Sequence, residues 1–276
     1  MTKKRNRIVR MAVLKTQGVR GKLTATLDLL ERMFCPLAGQ IDIAVTCEFF
    51  LDGAVAVPAI VKYGRTGRAS KTIPKEIIAA SVSGPDHWAI RRARRLAKAL
   101  RSYMIIGATE RDEQGNVRNV AYLLGRDGSH VGTYVKVTTD LYYTPGNELP
   151  VFDTDFGRLG IMLCADRRWP ENARCLRLGG AEIIINPACG SYGSMNDEWM
   201  RTRSYENGIP VCFCHDKEVL ISVNGRTDAH LESNVPQLLR HNVDLSENVP
   251  MKNTLNASGT PPIQNRRPEL WGRIVK

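Results

Sequence analysis

Short apolar runs of strand length alternate along the chain with segments whose apolar residues recur every three or four positions. Ile8–Leu14 is the first run, and Leu23–Cys35 follows with Leu23, Leu27, Leu30 and Met33 at helical spacing. Ile41–Thr46 reads as a second strand. A helix from about Asp86 to Arg101 places Ile90, Ala93, Leu96, Ala97 and Leu100 on one face and leads into a strand at Tyr103–Thr109. Val120–Leu124 and Val131–Val137 form a hairpin around Arg126-Asp127-Gly128. Leu159–Leu163 and Ile183–Ile185 flank a helix that Pro170 opens and Gly179-Gly180 stops. Asn196 is expected to cap a helix that runs through Trp199 and Tyr205 and stops near Gly208. Strands at Pro210–Cys214, Val219–Val223 and Gln237–Val243 complete the series, with Asn224-Gly225 as a turn.

This α/β alternation, interrupted by hairpins, is not the purely parallel doubly wound pattern. It contains no repeat, low-complexity tract or linker, so residues 1–247 read as one domain. Residues 248–276, rich in Pro and Asn and ending in Arg-Arg-Pro-Glu-Leu-Trp-Gly, read as an arm packed on that domain or on a partner subunit.

Composition changes this picture little. Apolar residues make up 43% and charged residues 24% of the 276, as in ordinary soluble proteins. No apolar run approaches the roughly 18–20 residues of a membrane helix. The run Met11–Leu14 behind the basic start is too short for a signal-peptide core. Seven cysteines without framework spacing point to a reducing cytoplasm. Much of the net charge of +11 sits between Arg91 and Arg101, with a second cluster at Lys3, Lys4, Arg5 and Arg7. The arginines of the helix occupy its solvent faces and have no interleaved aromatics, so nucleic-acid binding is not expected.

Candidate chemistry gathers at strand ends. Cys164 stands where Leu159–Leu163 hands over to the Pro170 helix, the edge of an α/β sheet where ligands collect. Glu48 closes the run from Ile41, and Lys136 lies in the last part of a hairpin strand. A cysteine needs a neighbouring base or cation to become a nucleophile, a carboxylate can take and return its proton, and an ammonium can hold an oxyanion. Taken alone, each residue also has a plain structural reading: a packed thiol, a surface carboxylate, a snorkelling lysine. Cys212-Phe-Cys214-His215 offers too few ligands for a metal site, and its two cysteines share one strand face as small apolar groups. His215 or His130 as base of a Cys-His hydrolase has no local signature.

Five motifs in order make the reading specific. Cys47-Glu48-Phe-Phe-Leu-Asp-Gly53, Asp127-Gly128 with Tyr134-Val-Lys136, Gly160-Ile-Met-Leu-Cys164-Ala-Asp-Arg-Arg-Trp-Pro-Glu171 with Gly180-Ala-Glu-Ile-Ile, Arg203-Ser-Tyr-Glu206-Asn207 and the Arg-Arg-Pro-Glu-Leu-Trp-Gly ending resemble the nitrilase, or carbon–nitrogen hydrolase, superfamily. The resemblance implies a four-layer α-β-β-α sandwich that forms homodimers or higher homo-oligomers. It implies Glu48 as base, Cys164 as nucleophile, and Lys136 with the backbone N–H of Ala165 as the oxyanion site, without metal or organic cofactor. The substrate implied is a small amide or N-carbamoyl compound, with a nitrile, or a non-catalytic binding and assembly role, as alternatives. Many members carry a second glutamate after the lysine; here the short Val137–Thr144 connection offers only Asp140 as a supporting acid. The Asp-Arg-Arg-Trp-Pro-Glu run is similar to that of enzymes cleaving N-carbamoyl-D-amino acids, which makes Arg167 and Arg168 candidates for a substrate carboxylate, beside the structural alternative of pairing with Asp166 or Glu171. Asn186, at the end of the next strand, is a further substrate-binding candidate. Loops near Phe49–Val57, Thr138–Asn147 and Cys189–Asn196 are expected to shape the pocket.

Overall fold

Strands β1 (Ile8–Lys15), β2 (Ile43–Val45) and β3 (Tyr103–Arg111) run parallel at the centre of one six-stranded sheet. Antiparallel β4 (Val117–Leu124) and β5 (His130–Val135) extend one side of it, and β12 (Gln237–Asp244) pairs with β1 on the other. The second sheet repeats the plan. Parallel β7 (Arg158–Ile161), β8 (Ile183–Pro187) and β9 (Val211–Cys214) are flanked by β6 (Val151–Asp153) on one side and by β10 (Glu218–Val223) and β11 (Arg226–Glu232) on the other. This computed structural model describes residues 7–64, 72–139, 142–190, 193, 195–251, 263 and 266–274.

The period of two along the strands assigns the layers. In β8, β9 and β10 the residues Ile183, Ile185, Cys212, Cys214, Val219 and Ile221 join the core that also contains Val13, Ile105 and Leu123 of the first sheet. Ile184, Val211, Phe213 and Leu220 point the other way, onto Ala173, Leu176 and Met200. Those last three belong to helices α5 (Pro170–Leu178) and α6 (Asn196–Asn207). On the far side, α1 (Leu23–Phe34) and α4 (Trp88–Leu100) cover the first sheet through Leu27, Leu30, Ile90, Ala93 and Leu96. Two helix layers thus enclose two sheets. Cys212 and Cys214 are both fully buried, as small apolar groups between the sheets.

Several elements depart from the sequence expectation. Asn196 is the first residue of α6 and gives it no side-chain cap, because its Oδ1 accepts a hydrogen bond from Arg167 at 3.0 Å. α2 (Val57–Gly64) and α3 (Lys75–Ala80) lie in a stretch for which no element was expected, each shorter than the window over which a helical period stands out from its surroundings. β6 has three residues, and β11 is a largely exposed edge strand of polar sequence in which only Ala229 and Leu231 turn inward. At the other end, Ile263 is buried, and Arg266, Pro268, Trp271 and Ile274 line a cleft of about 550 Å³ with α5. Among the described residues no helix is long and apolar enough to cross a membrane.

Candidate active site

Beyond β2 the chain is strapped across β3. Thr46 N–H donates to the Ile105 carbonyl at 3.0 Å, and Leu51 N–H to the Gly107 carbonyl at 2.9 Å. Between these ties lie Cys47 and Glu48, pressed against Gly107: a Cβ there would stand 2.3 Å from the Cys47 carbonyl oxygen and 3.0 Å from Glu48 Cα. The next residue, Phe49, has φ +58, a conformation side chains rarely adopt. Gln17 Nε2 donates to the Glu48 carbonyl at 2.8 Å. The backbone of Glu48 is therefore held on three sides.

Its carboxylate is buried with the ammonium of Lys136. Lys136 follows β5 directly and donates from Nζ to Glu48 Oε1 at 2.9 Å; the two residues are 4% and 1% exposed. Asn119 of β4, which no sequence motif singles out, donates to the same Oε1 at 2.7 Å. Among the described residues nothing donates to Oε2. Burial alone would lower the Lys136 ammonium, but the Glu48 carboxylate outweighs it and holds Lys136 above its ordinary value.

Cys164 opens a short 3-10 turn, Cys164–Arg168, immediately before α5, and its own φ is +46. For a side chain with a Cβ, that backbone is strained by on the order of 1–3 kcal/mol. Asp166, fully buried, secures the turn. It accepts from Leu163 N–H and Thr138 N–H at 2.9 Å each and from the Tyr134 hydroxyl at 2.7 Å, tying the segment after Lys136 to the turn of Cys164. Burial pushes the Asp166 carboxyl up in spite of these donors. Burial also pushes the Cys164 thiol above its ordinary value, with Glu48 adding to the effect and Lys136 and Arg167 opposing it. The thiol is protonated at rest near neutral pH, and its Sγ donates to the Cys189 carbonyl at 3.4 Å.

These groups share one cavity of about 400 Å³, with Glu48, Asn119, Lys136, Cys164 and Ala165 on its surface. The expected loops contribute Phe49 and Val57, Thr139 and Tyr143, and Cys189 and Gly190; α2 adds Ile60 and Val61. Arg167 and Arg168 line the cavity too. The pairing of Arg167 with Asp166 or Glu171 is not found, since Asp166 is already taken. Its guanidinium, 2% exposed, lies 5.1 Å from the Trp199 ring and 5.2 Å from that of Phe213, and its Nη1 is 3.5 Å from Cys164 Sγ. Arg168 is exposed and lies 5.7 Å from the same Trp199. Among the described residues neither arginine has a carboxylate within 4.0 Å. Asn186, expected at the substrate, is instead fully buried and does not line the cavity; its Nδ2 donates to the Met162 carbonyl at 2.9 Å, linking β8 to the segment before Cys164. Asp140 lies outside the described residues. Among those described, no cluster of three or more His, Cys, Asp or Glu could hold a metal ion.

A family model described as carbon-nitrogen hydrolase matches residues 23–247. The chain belongs to the carbon–nitrogen hydrolase family. Its relatives within the family include the "Probable nitrilase" of Schizosaccharomyces pombe, 27% identical over 62% of this chain and 69% of that protein. An N-carbamoylputrescine amidase of Arabidopsis thaliana is 30% identical over 46% of this chain and 47% of its own length, so the match spans about half of that relative. The crystal structure of an amidase from Nesterenkonia sp. superposes with a TM-score of 0.74 at 18% identity, covering 96% of each chain. The two-sheet, two-helix-layer arrangement is the α-β-β-α sandwich of the nitrilase superfamily.

Proposed function

We propose that this carbon–nitrogen hydrolase cleaves a small amide or N-carbamoyl substrate, with Glu48, Lys136 and Cys164 as the catalytic residues. The observation that carries the reading is a cysteine on a strained turn in the same cavity as a buried Glu–Lys pair whose carboxylate, among the described residues, keeps one oxygen without a donor. A thiol held above its ordinary pKa needs a base at the moment of attack, and the second oxygen of the Glu48 carboxylate is the proton acceptor we assign to it. Transfer of the Sγ proton to Glu48 accompanies attack of sulfur on the carbonyl carbon. The oxyanion that forms is received by the Lys136 ammonium and the Ala165 N–H. Glu48 returns its proton to the departing ammonia, leaving an acyl-thioester, and then takes a proton from water as that water attacks the thioester. Hydrolysis restores the thiol; for a carbamoyl substrate the released carbamate loses carbon dioxide.

Arg167 supports a substrate that bears a carboxylate. A buried guanidinium without an anionic partner, its faces held against two aromatic rings, is a preorganised site for a carboxylate. Ammonia release from primary amides, N-carbamoyl amino acids and nitriles tests the reading, and the third arm separates a nitrilase from an amidase. Arg167→Lys is expected to raise KM for N-carbamoyl amino acids by about tenfold, the loss of one bidentate contact, while leaving KM for an uncharged amide unchanged. Equal effects on both would remove the carboxylate from this site.

Gly107→Ala provides a test from a distance. The added Cβ forces Cys47 and Glu48 away from β3, and a shift of about 1 Å in a catalytic group lowers the rate by roughly 100-fold. A thermal melt should fall modestly while kcat falls steeply. An unchanged kcat would free Glu48 from this contact.

A further inference from the structure

Helix α2 packs Val57 and Ile60 against a small apolar cluster that includes Phe49, Tyr143 and Cys189, and the same side chains also border the reactive cavity. Val57, Ile60 and Val61 stand at spacing i, i+3, i+4 on one helical face, and all three line the cavity that holds Cys164. Val57 and Ile60 are only half-buried, and Val61 is 42% exposed. Phe49 and Tyr143, with ring centroids 5.4 Å apart, continue the same apolar surface. The Tyr143 hydroxyl is occupied by Thr109 Oγ1 at 3.3 Å, which leaves its ring rather than its polar tip for a ligand.

This surface is anchored. Ile60 N–H donates to the Ala56 carbonyl at 3.0 Å, Val57 N–H to that of Ala54 at 3.1 Å, and the Arg20 guanidinium to that of Val55 at 3.1 Å. Val57 Cγ1 lies 3.7 Å from where a Cβ would stand on Gly190. The charges lining the cavity point the same way. Among the described residues Glu48 is its one acid, and that carboxylate already faces Lys136, whereas Arg167 and Arg168 add positive charge. Among the described residues a substrate ammonium finds no carboxylate besides the one already paired with Lys136, and it meets three cations. An apolar substituent instead covers exposed valine and isoleucine, with a gain proportional to the area removed from water.

We propose that α2 is the specificity wall of the cavity, selecting substrates whose reactive amide or carbamoyl group sits beside an apolar side chain and rejecting those with a cationic one. The inference depends on the hydrolase reading above and narrows its substrate class. It sets this chain apart from relatives named for a carbamoylated diamine.

The test compares ammonia release from N-carbamoylglycine, N-carbamoylleucine and the mono-N-carbamoyl derivative of 1,4-diaminobutane, with Cys164→Ala as the background. Each methylene gained in an apolar pocket is worth roughly tenfold or more, so kcat/KM for the leucine compound should exceed that for the glycine compound at least about tenfold, with the diamine derivative lowest. Val61→Asp, at an exposed position that leaves folding intact, should erase the leucine preference and raise the diamine derivative. Ile60→Ala should lower kcat/KM for the leucine compound several-fold more than for the glycine compound. Equal values for glycine and leucine in the wild type, or variants that lower both alike, overturn the specificity wall and leave the hydrolase standing. Release from none of the three above the Cys164→Ala background overturns the N-carbamoyl half of the hydrolase reading, and the wall with it.

Discussion

Cys164→Ala is expected to lower ammonia release by roughly 10⁴-fold or more, to the level of the uncatalysed reaction, with no loss of fold. The magnitude follows from the chemistry. Without Sγ no acyl-thioester forms, and neither Lys136 nor the Ala165 N–H supplies a nucleophile in its place. The fold survives because the side chain is only partly buried, lining the cavity at the edge of the sheet–helix core rather than filling it. Alanine keeps a Cβ, so the strained φ of +46 persists in this variant. Cys164→Gly removes the Cβ as well. It should therefore melt higher than Cys164→Ala, since only glycine occupies that backbone region freely. Activity assays and thermal melts on the three proteins check both halves. Residual turnover within tenfold of wild type in either variant would move the nucleophile elsewhere, and a Cys164→Gly that melts below Cys164→Ala would show that the turn stores no strain.

Lys136→Met should damage both the fold and the reaction, and the two effects can be separated. In the wild type, Glu48 is buried with one ammonium and one amide donor on the same oxygen. Removing the ammonium leaves an uncompensated buried carboxylate, and breaking such a pair destabilises a protein by about 3–5 kcal/mol. It also removes a cation that holds the Cys164 thiol down, so the thiol rises further and its alkylation by iodoacetamide near neutral pH slows. Adding Glu48→Gln to Lys136→Met removes the unpaired charge, because Gln keeps the shape and can still accept from Asn119. The double variant is expected to regain most of the lost melting temperature and none of the activity. Recovery of activity along with stability would show that the pair is a structural element and not part of the reaction.

Much of the architecture was legible because its signals are local. The apolar runs of β1, β7, β8 and β9 and the amphipathic faces of α1 and α4 lie within single windows of sequence, and each stands close to where its period places it. Glu48, Lys136 and Cys164 were legible for a related reason: each sits beside a strand end inside a recognisable motif. Asn119 was not, since it lies within a strand and its function depends on β4 pairing with β5, which sets it beside the carboxylate. Asp166 was legible as a residue but not as a role. It reads as a partner for the neighbouring arginines, yet the fold gives it two backbone N–H groups and a tyrosine hydroxyl.

The sequence alone determined most of the order of strands and helices, the membership in a family of C–N hydrolases and the three side chains proposed here to react, because periodicity and motif spacing are properties of the chain itself. Only the tertiary structure decided that Glu48 and Lys136 touch and that Cys164 shares their cavity. It also decided that Asn186 is a strut outside that cavity, that Arg167 is buried with no acid within 4.0 Å among the described residues, and that an apolar face of α2 borders the cavity of Cys164. Those facts depend on segments such as 48, 136 and 164 meeting across two sheets, and contacts between residues so distant along the chain leave no trace in any single window of it.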